Sequence, residues 1–201
     1  MHKAIHDKKF IPTALFAKPM MLSYLSHLQC SGCGREYTHT EIHTFCLDCQ
    51  SPLLAIYDLE HARQHVDREE ISRRRKGMWR WSELLPVLNV ENQIFLGEGD
   101  TPLLSLPHLE KELGLSHLYV KDESSNPTGS FKARGLAAAV SKAKELGVEK
   151  VIIPTAGNAG GAMAAYAARA GLKAYIFMPK DTPFANIQES RMAGAEVVLV
   201  D

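Results

Sequence analysis

Neither sign of charge is in excess: 23 Lys and Arg balance 23 Asp and Glu over 201 residues. A neutral balance argues against nucleic acid or an anionic membrane surface as a partner. No apolar run approaches the ~20 residues a membrane-spanning helix needs, so no membrane partner is expected. A secretory signal is not expected either. Met1 to Phe16 carries Lys3, Lys8 and Lys9, but Pro12 and Thr13 interrupt its apolar run and no small-residue cleavage site follows. The chain reads as cytoplasmic. Met20-Met21 precedes the first recognisable element, and the residues ahead of it read as an upstream extension of the frame. The dinucleotide fingerprint and the phosphate P-loop are both lacking. What remains, 45% hydrophobic and 23% charged residues, is the mix of an ordinary globular protein.

Cysteine is scarce, but its placement is informative. All four cysteines fall into two pairs, Cys30-Ser-Gly-Cys33 and Cys46-Leu-Asp-Cys49, with twelve residues between them. Each pair puts two thiolates on one tight knuckle, and two knuckles make a tetrahedral site for structural zinc. Two disulfides, or a site that has lost its metal, are the alternatives. His39 and His43 lie between the pairs and could replace a cysteine ligand; the simpler expectation is that they are exposed loop residues. Arg35 is the only Lys or Arg from Cys30 to Cys49, so the electrostatic footprint of a nucleic-acid-binding ribbon is missing.

Asp58 to Leu85 reads as charged and helical, with Asp67, Glu69, Glu70, Arg73 and Arg74 in i,i+4 pairs on a solvated face. The apolar members of Met78-Trp79-Arg80-Trp81 should pack that segment onto the main body. From Lys150 onward the pattern alternates: strand Lys150 to Pro154, helix Ala159 to Ala170, strand Ala174 to Met178, helix from about Pro183 to Ala193, strand Glu196 to Val200. Such alternation with short connections predicts an α/β fold, a parallel sheet with flanking helices and a ligand at the strand C-termini.

The most informative stretch runs Lys121-Asp122-Glu123-Ser124-Ser125-Asn126-Pro127-Thr128-Gly129-Ser130-Phe131-Lys132-Ala133-Arg134-Gly135. It leaves a short strand, turns through Asn-Pro and Thr-Gly, and enters an Ala-rich helix from Ala133 to Leu146. Lys132 therefore sits in a first helical turn, where the dipole disfavours a cation. A lysine held partly neutral is what Schiff-base chemistry with an aldehyde needs. A second stretch, Thr155-Ala156-Gly157-Asn158-Ala159-Gly160-Gly161, follows a strand and opens a helix. Its backbone N–H groups form an anion site, and Asn158 can cap the helix or reach a ligand. A third, Gly97-Glu98-Gly99-Asp100-Thr101-Pro102-Leu103, offers close backbone approach and the Thr101 hydroxyl.

These three stretches together resemble the fold type II pyridoxal-phosphate (PLP) enzymes, the tryptophan synthase β-like group, and within it the threonine synthases. Asn-Pro-Thr-Gly-Ser-Phe-Lys-x-Arg-Gly and Gly-Glu-Gly-x-Thr-Pro-Leu carry the resemblance, with the cysteine pairs as support. It implies that Lys132 holds PLP and acts as base and acid. It implies that Asn158 meets the PLP 3′-oxygen and that Thr155, Gly157 and Ala159 bind the substrate carboxylate. Thr101, Ser130 and Arg134 are candidates for orientation or anion contacts. It implies O-phospho-L-homoserine as substrate and a homodimer in the full-length form. Threonine synthases carry a hydroxyl residue where this chain has Ala159. Threonine and serine dehydratases share the lysine and asparagine loops, so a dehydratase-like lyase stays open, as does a non-catalytic form. The resemblance spans Cys30 to Asp201, and threonine synthases run well beyond that length. The enzyme fold is therefore expected to be incomplete, without the loop that holds the PLP phosphate. The expected division is an extension over 1–29, a four-cysteine zinc-ribbon-like module over 30–57 and the PLP-dependent α/β domain over 58–201.

Overall fold

The computed structural model describes residues 23–201. The expectations for Met1 to Phe16 and for Met20-Met21 lie outside the described residues.

Strands β1 (Leu25–Cys30), β2 (Glu36–Tyr37) and β3 (Leu53–Tyr57) form an antiparallel sheet in the order β2-β1-β3. Both cysteine pairs close turns beside it. Gly34 N donates to Cys30 O at 3.1 Å, and Gln50 N donates to Cys46 O at 3.0 Å. The sheet includes residues upstream of Cys30, because β1 begins at Leu25. His39 and His43 depart from expectation. They are half-buried and line a cavity of about 380 Å³ against Ala138, Ala139 and Lys142. Burial, with Lys142 nearby, pushes the His39 imidazole down.

The stretch over 58–85 is not one helix. Val66 ends the first segment and Asp67 caps a second, so α1 (Leu59–His65) and α2 (Arg68–Arg73) are separate, and Met78–Leu84 winds as 3₁₀ turns kinked at Trp81. An aspartate with extended backbone serves as an N-cap better than as a helix interior. The i,i+4 pairs do form, Glu69 with Arg73 at 3.1 Å and Glu70 with Arg74 at 2.8 Å. Met78 is buried in the main core, Trp79 packs on that core, and Trp81 remains 52% exposed.

Strands β4 (Leu103–Ser105) and β5 (Tyr119–Lys121) pair antiparallel, with α3 (Pro107–Leu113) between them. Then come α4 (Lys132–Glu145), β6 (Lys150–Pro154), α5 (Asn158–Ala170), β7 (Lys173–Pro179), α6 (Phe184–Met192) and β8 (Glu196–Val200). The parallel sheet is β6-β7-β8. The strand before the lysine stretch is not among its three strands. Having only an antiparallel partner, β5 delivers Lys132 from a ribbon outside the parallel sheet.

The core forms around α5, most of whose residues are Ala or Gly. A helix apolar on all sides is a buried helix. Here Gly160 through Ala164, Tyr166 and Ala167 are buried, and α5 packs against α4, α6 and β7. A Cβ on Gly160 would stand 2.8 Å from Met178 Cε and 3.0 Å from Ile176 Cγ2, so glycine is what seats α5 on β7.

Candidate active site

Lys132 heads α4, following Phe131, with the 3₁₀ turn Pro127–Gly129 packed against both α4 and α5. Its ammonium stands 4.4 Å from the Phe131 ring centroid and has no carboxylate partner among the described residues. Thr128, in the turn before it, has φ 62 and ψ 20, a left-handed conformation that is costly for a β-branched residue. Its hydroxyl is buried with no partner among the described residues. Ser130 is buried, and its Oγ accepts from Lys132 N at 3.4 Å.

A polar clamp holds this loop in place. Glu123 receives Arg134 Nε at 2.6 Å and Arg134 Nη2 at 2.8 Å, a bidentate pair across eleven residues. The Thr101 hydroxyl donates to the same carboxylate at 2.6 Å, and Asn126 Nδ2 donates to it at 2.9 Å. The hydroxyl of Thr101 also accepts from Arg134 at 3.3 Å, and the backbone carbonyl of Thr101 accepts from Lys121 Nζ at 2.5 Å. Thus two residues expected at a ligand, Thr101 and Arg134, are both engaged by Glu123. No local periodicity could have marked Glu123, since Thr101 and Arg134 lie 22 and 11 residues away from it.

Arg134 foremost, then Thr101 and Asn126, hold the Glu123 carboxyl down at about 2 against the upward push of desolvation. A depressed carboxylate contributes stability above its unfolded value of ~4.3, and that stability disappears as pH falls through about 2. Glu123→Gln is therefore expected to cost about 1–2 kcal/mol at neutral pH. It should also flatten the loss of stability between these two pH values, which denaturant melts at stepped pH would read. An acid limb as steep as that of the unaltered protein would refute the clamp.

The second loop follows β6. Its helix is capped by Gly157, and Gly157 N donates to Thr155 Oγ1 at 3.2 Å. Asn158 is the first helical residue and makes no capping hydrogen bond. Its amide is exposed, so of the two roles foreseen for it, capping is not taken. Asn158, Ala159 and Gly160 are the N1 to N3 positions of α5, whose N–H groups have no i−4 partner within the helix; Gly160 N turns back to Gly157 O at 2.9 Å. No heavy atom lies closer than 3.8 Å to the place a Gly157 Cβ would occupy, which leaves room beside the loop.

The cysteine cluster forms a separate centre. The four sulfurs lie within 4.8 Å of one another, with Cys30 and Cys46 buried. Cys30 Sγ is 3.3 Å from Cys49 Sγ, and Cys33 Sγ is 3.5 Å from Cys46 Sγ. The Tyr37 hydroxyl, 3.2 Å from Cys46 Sγ, acts with backbone N–H groups to hold the Cys46 thiol down at about 6.

Known proteins are similar to this chain in sequence and in fold. The chain is 41% identical over 173 residues to a threonine synthase of Methanocaldococcus jannaschii, a match covering 86% of this chain and 42% of that protein. It is 45% identical over 119 residues to a threonine synthase of Halalkalibacterium halodurans, covering 59% of this chain and 33% of that one. The chain thus spans less than half the length of the curated relatives it matches. Among solved structures it resembles the apo form of Escherichia coli diaminopropionate ammonia lyase, with a TM-score of 0.50 and 26% identity over 55% of this chain and 35% of the other. The profile of the family described as pyridoxal-phosphate dependent enzyme matches residues 94–201. That span takes in α4 with its lysine and α5 with its asparagine, and on that ground the chain belongs to the pyridoxal-phosphate dependent enzyme family.

Proposed function

We propose that this lysine site serves a threonine synthase, which converts O-phospho-L-homoserine and water to L-threonine and inorganic phosphate. The observation that carries the reading is the identity of 41% to a threonine synthase over 173 residues, a span long enough to take in both cysteine pairs, Lys132 and Asn158. The donor set fits PLP: a lysine amine outside any ion pair among the described residues, an uncommitted asparagine amide and a helix start with room beside it. PLP, when bound, supplies the electron sink that makes a substrate Cα proton removable. Lys132 Nζ anchors the cofactor and then takes and returns protons, beginning at Cα. The asparagine amide of Asn158 meets the cofactor 3′-oxygen. Thr155, Gly157 and Ala159 hold the substrate carboxylate at the head of α5, where the helix dipole favours an anion. Ser130, Thr101 and Arg134 set the orientation of the lysine turn, the last two through Glu123.

The four cysteines hold a structural zinc ion in this proposal. Four sulfurs at ~2.3 Å from one zinc stand about 3.8 Å apart, which the cluster accommodates. Residues 30–57 act as that module and 58–201 as the α/β part, with 1–29 ahead of them. The protein works as a cytoplasmic homodimer in its full-length form, without nucleic acid or membrane. No helix among the described residues is long and apolar enough to cross a membrane.

Ala159 favours one competing reading, a dehydratase-like lyase, because it offers no hydroxyl to the substrate. An assay of the purified protein with O-phosphohomoserine, threonine and serine separates the two. Phosphate and threonine should appear together from the first substrate. Ammonia from serine or threonine, with no phosphate from phosphohomoserine, would replace the synthase by the lyase.

A further inference from the structure

Glu98 is a carboxylate with 0% exposure, an expensive burial for a charged side chain. Its Oε2 accepts from the Tyr166 hydroxyl at 2.6 Å and from Leu96 N at 3.0 Å, while Oε1 has no partner among the described residues. Tyr166, also 0% exposed, belongs to α5, eight residues beyond Asn158. The residue after Glu98 continues the line, since Gly99 N donates to Asn126 Oδ1 at 3.1 Å. Asn126 in turn donates to Glu123, which grips Arg134 two residues beyond Lys132. One polar line therefore runs from the helix that carries Asn158 to the helix that carries Lys132.

The packing explains why such a line is useful. Helices α4 and α5 pack together, and alanine and glycine make up much of their buried faces, beside Val140, Met163 and Tyr166. Small side chains allow close approach, but they interlock weakly and resist sliding less than large ones do. Hydrogen bonds are directional, and a buried one that is broken leaves a costly unpaired group. The backbone around Glu98 is rigid as well. Met78 N donates to Glu98 O at 2.9 Å, and a Cβ on Gly99 would stand 2.5 Å from Met78 N.

We infer that Glu98 and Tyr166 are positioning residues that set the spacing of Asn158 and Lys132 for the cofactor. They touch neither cofactor nor substrate. This rests on the proposal that Lys132 and Asn158 hold PLP. Burial, and then the bond to Glu98, push the Tyr166 hydroxyl up, so it stays a donor throughout the working pH range.

The test uses the full-length protein, the single variant Tyr166→Phe and the double variant Glu98→Met/Tyr166→Phe. The double variant removes the Glu98 carboxylate and the Tyr166 hydroxyl together, so neither is orphaned by loss of the other. Each protein is melted, titrated with PLP by absorbance and, after borohydride reduction, weighed for a pyridoxyl group on Lys132. In the double variant, a melt like that of the unaltered protein is expected. PLP binding should be roughly tenfold weaker, with kcat lowered by up to about 10²-fold, the scale of a 1 Å misplacement. The absorption of bound PLP should also be redistributed between its two tautomer bands, because the amide of Asn158 no longer meets the ring oxygen. Binding and absorption unchanged in a folded double variant would overturn the inference. So would a double variant that does not fold, since the line would then be purely structural. If the unaltered protein takes no pyridoxyl group on Lys132, the proposed function fails first and takes the inference with it. That outcome is distinct from the other two, because it is read before any variant.

Discussion

Lys132→Ala is expected to abolish the pyridoxyl group fixed by borohydride and to lower turnover by about 10³-fold or more. The substitution is mild for the fold. Alanine is the best helix former, and position 132 is only half-buried. The loss should therefore be chemical, with the melt unchanged. Neighbouring lysines are poor substitutes because they are engaged. Lys121 donates to the Thr101 carbonyl at 2.5 Å, and Lys142 pairs with Glu145 at 2.8 Å in a nearly buried bridge. Lys173 and Lys180 pair with Glu196 and Asp201 at the far strands. Intact mass and peptide mapping decide the matter. An adduct that persists at another lysine in the variant would sink the assignment of Lys132.

The second large effect concerns the cysteine cluster. If the cluster holds zinc as proposed, a strong chelator, or the change Cys46→Ser, is expected to melt β1, β2 and β3 as a unit. This small sheet has little core of its own: Leu25, Cys30 and Cys46 are buried, whereas Ile42 is 65%, Phe45 52% and Leu47 72% exposed. With so little apolar burial, the proposed metal would supply much of the folding free energy, on the order of 10 kcal/mol for structural zinc sites. The parallel sheet β6-β7-β8 has a separate core and should stay folded. Metal analysis and amide hydrogen exchange read both parts at once. One zinc per chain, with exchange protection lost only from the module on chelation, is the expected result. A metal-free protein lighter than its reduced form by about 4 Da, the mass of four thiol hydrogens, with β1 to β3 still protected, would mean two disulfides instead.

These two centres were legible in the sequence for the same reason. Each is signalled by residues close together in the chain. Two cysteine pairs, a lysine after Asn-Pro-Thr-Gly, and a glycine-rich turn between strand and helix are local patterns. Local patterns also located strands β6, β7 and β8 and helices α4, α5 and α6 within a residue or two, because strand alternation and glycine stops act over a few bonds.

Other features depend on residues that meet across long separations, and these became visible only in the folded chain. Glu98 and Tyr166 are 68 positions apart, and neither composition nor period pairs them. Glu123 looked like one more polar residue of a turn, yet it gathers Thr101, Asn126 and Arg134. Strand β5 was legible as a short strand before the lysine stretch, but not its pairing with β4, because strand pairing is chosen by three-dimensional neighbours. His39 and His43 are half-buried because the cysteine module lies against α4, a contact no loop composition encodes. Short-range patterns in the chain name the residues of the proposed site. The fold sets how they are held, because burial and hydrogen-bond partnership are properties of the packed chain.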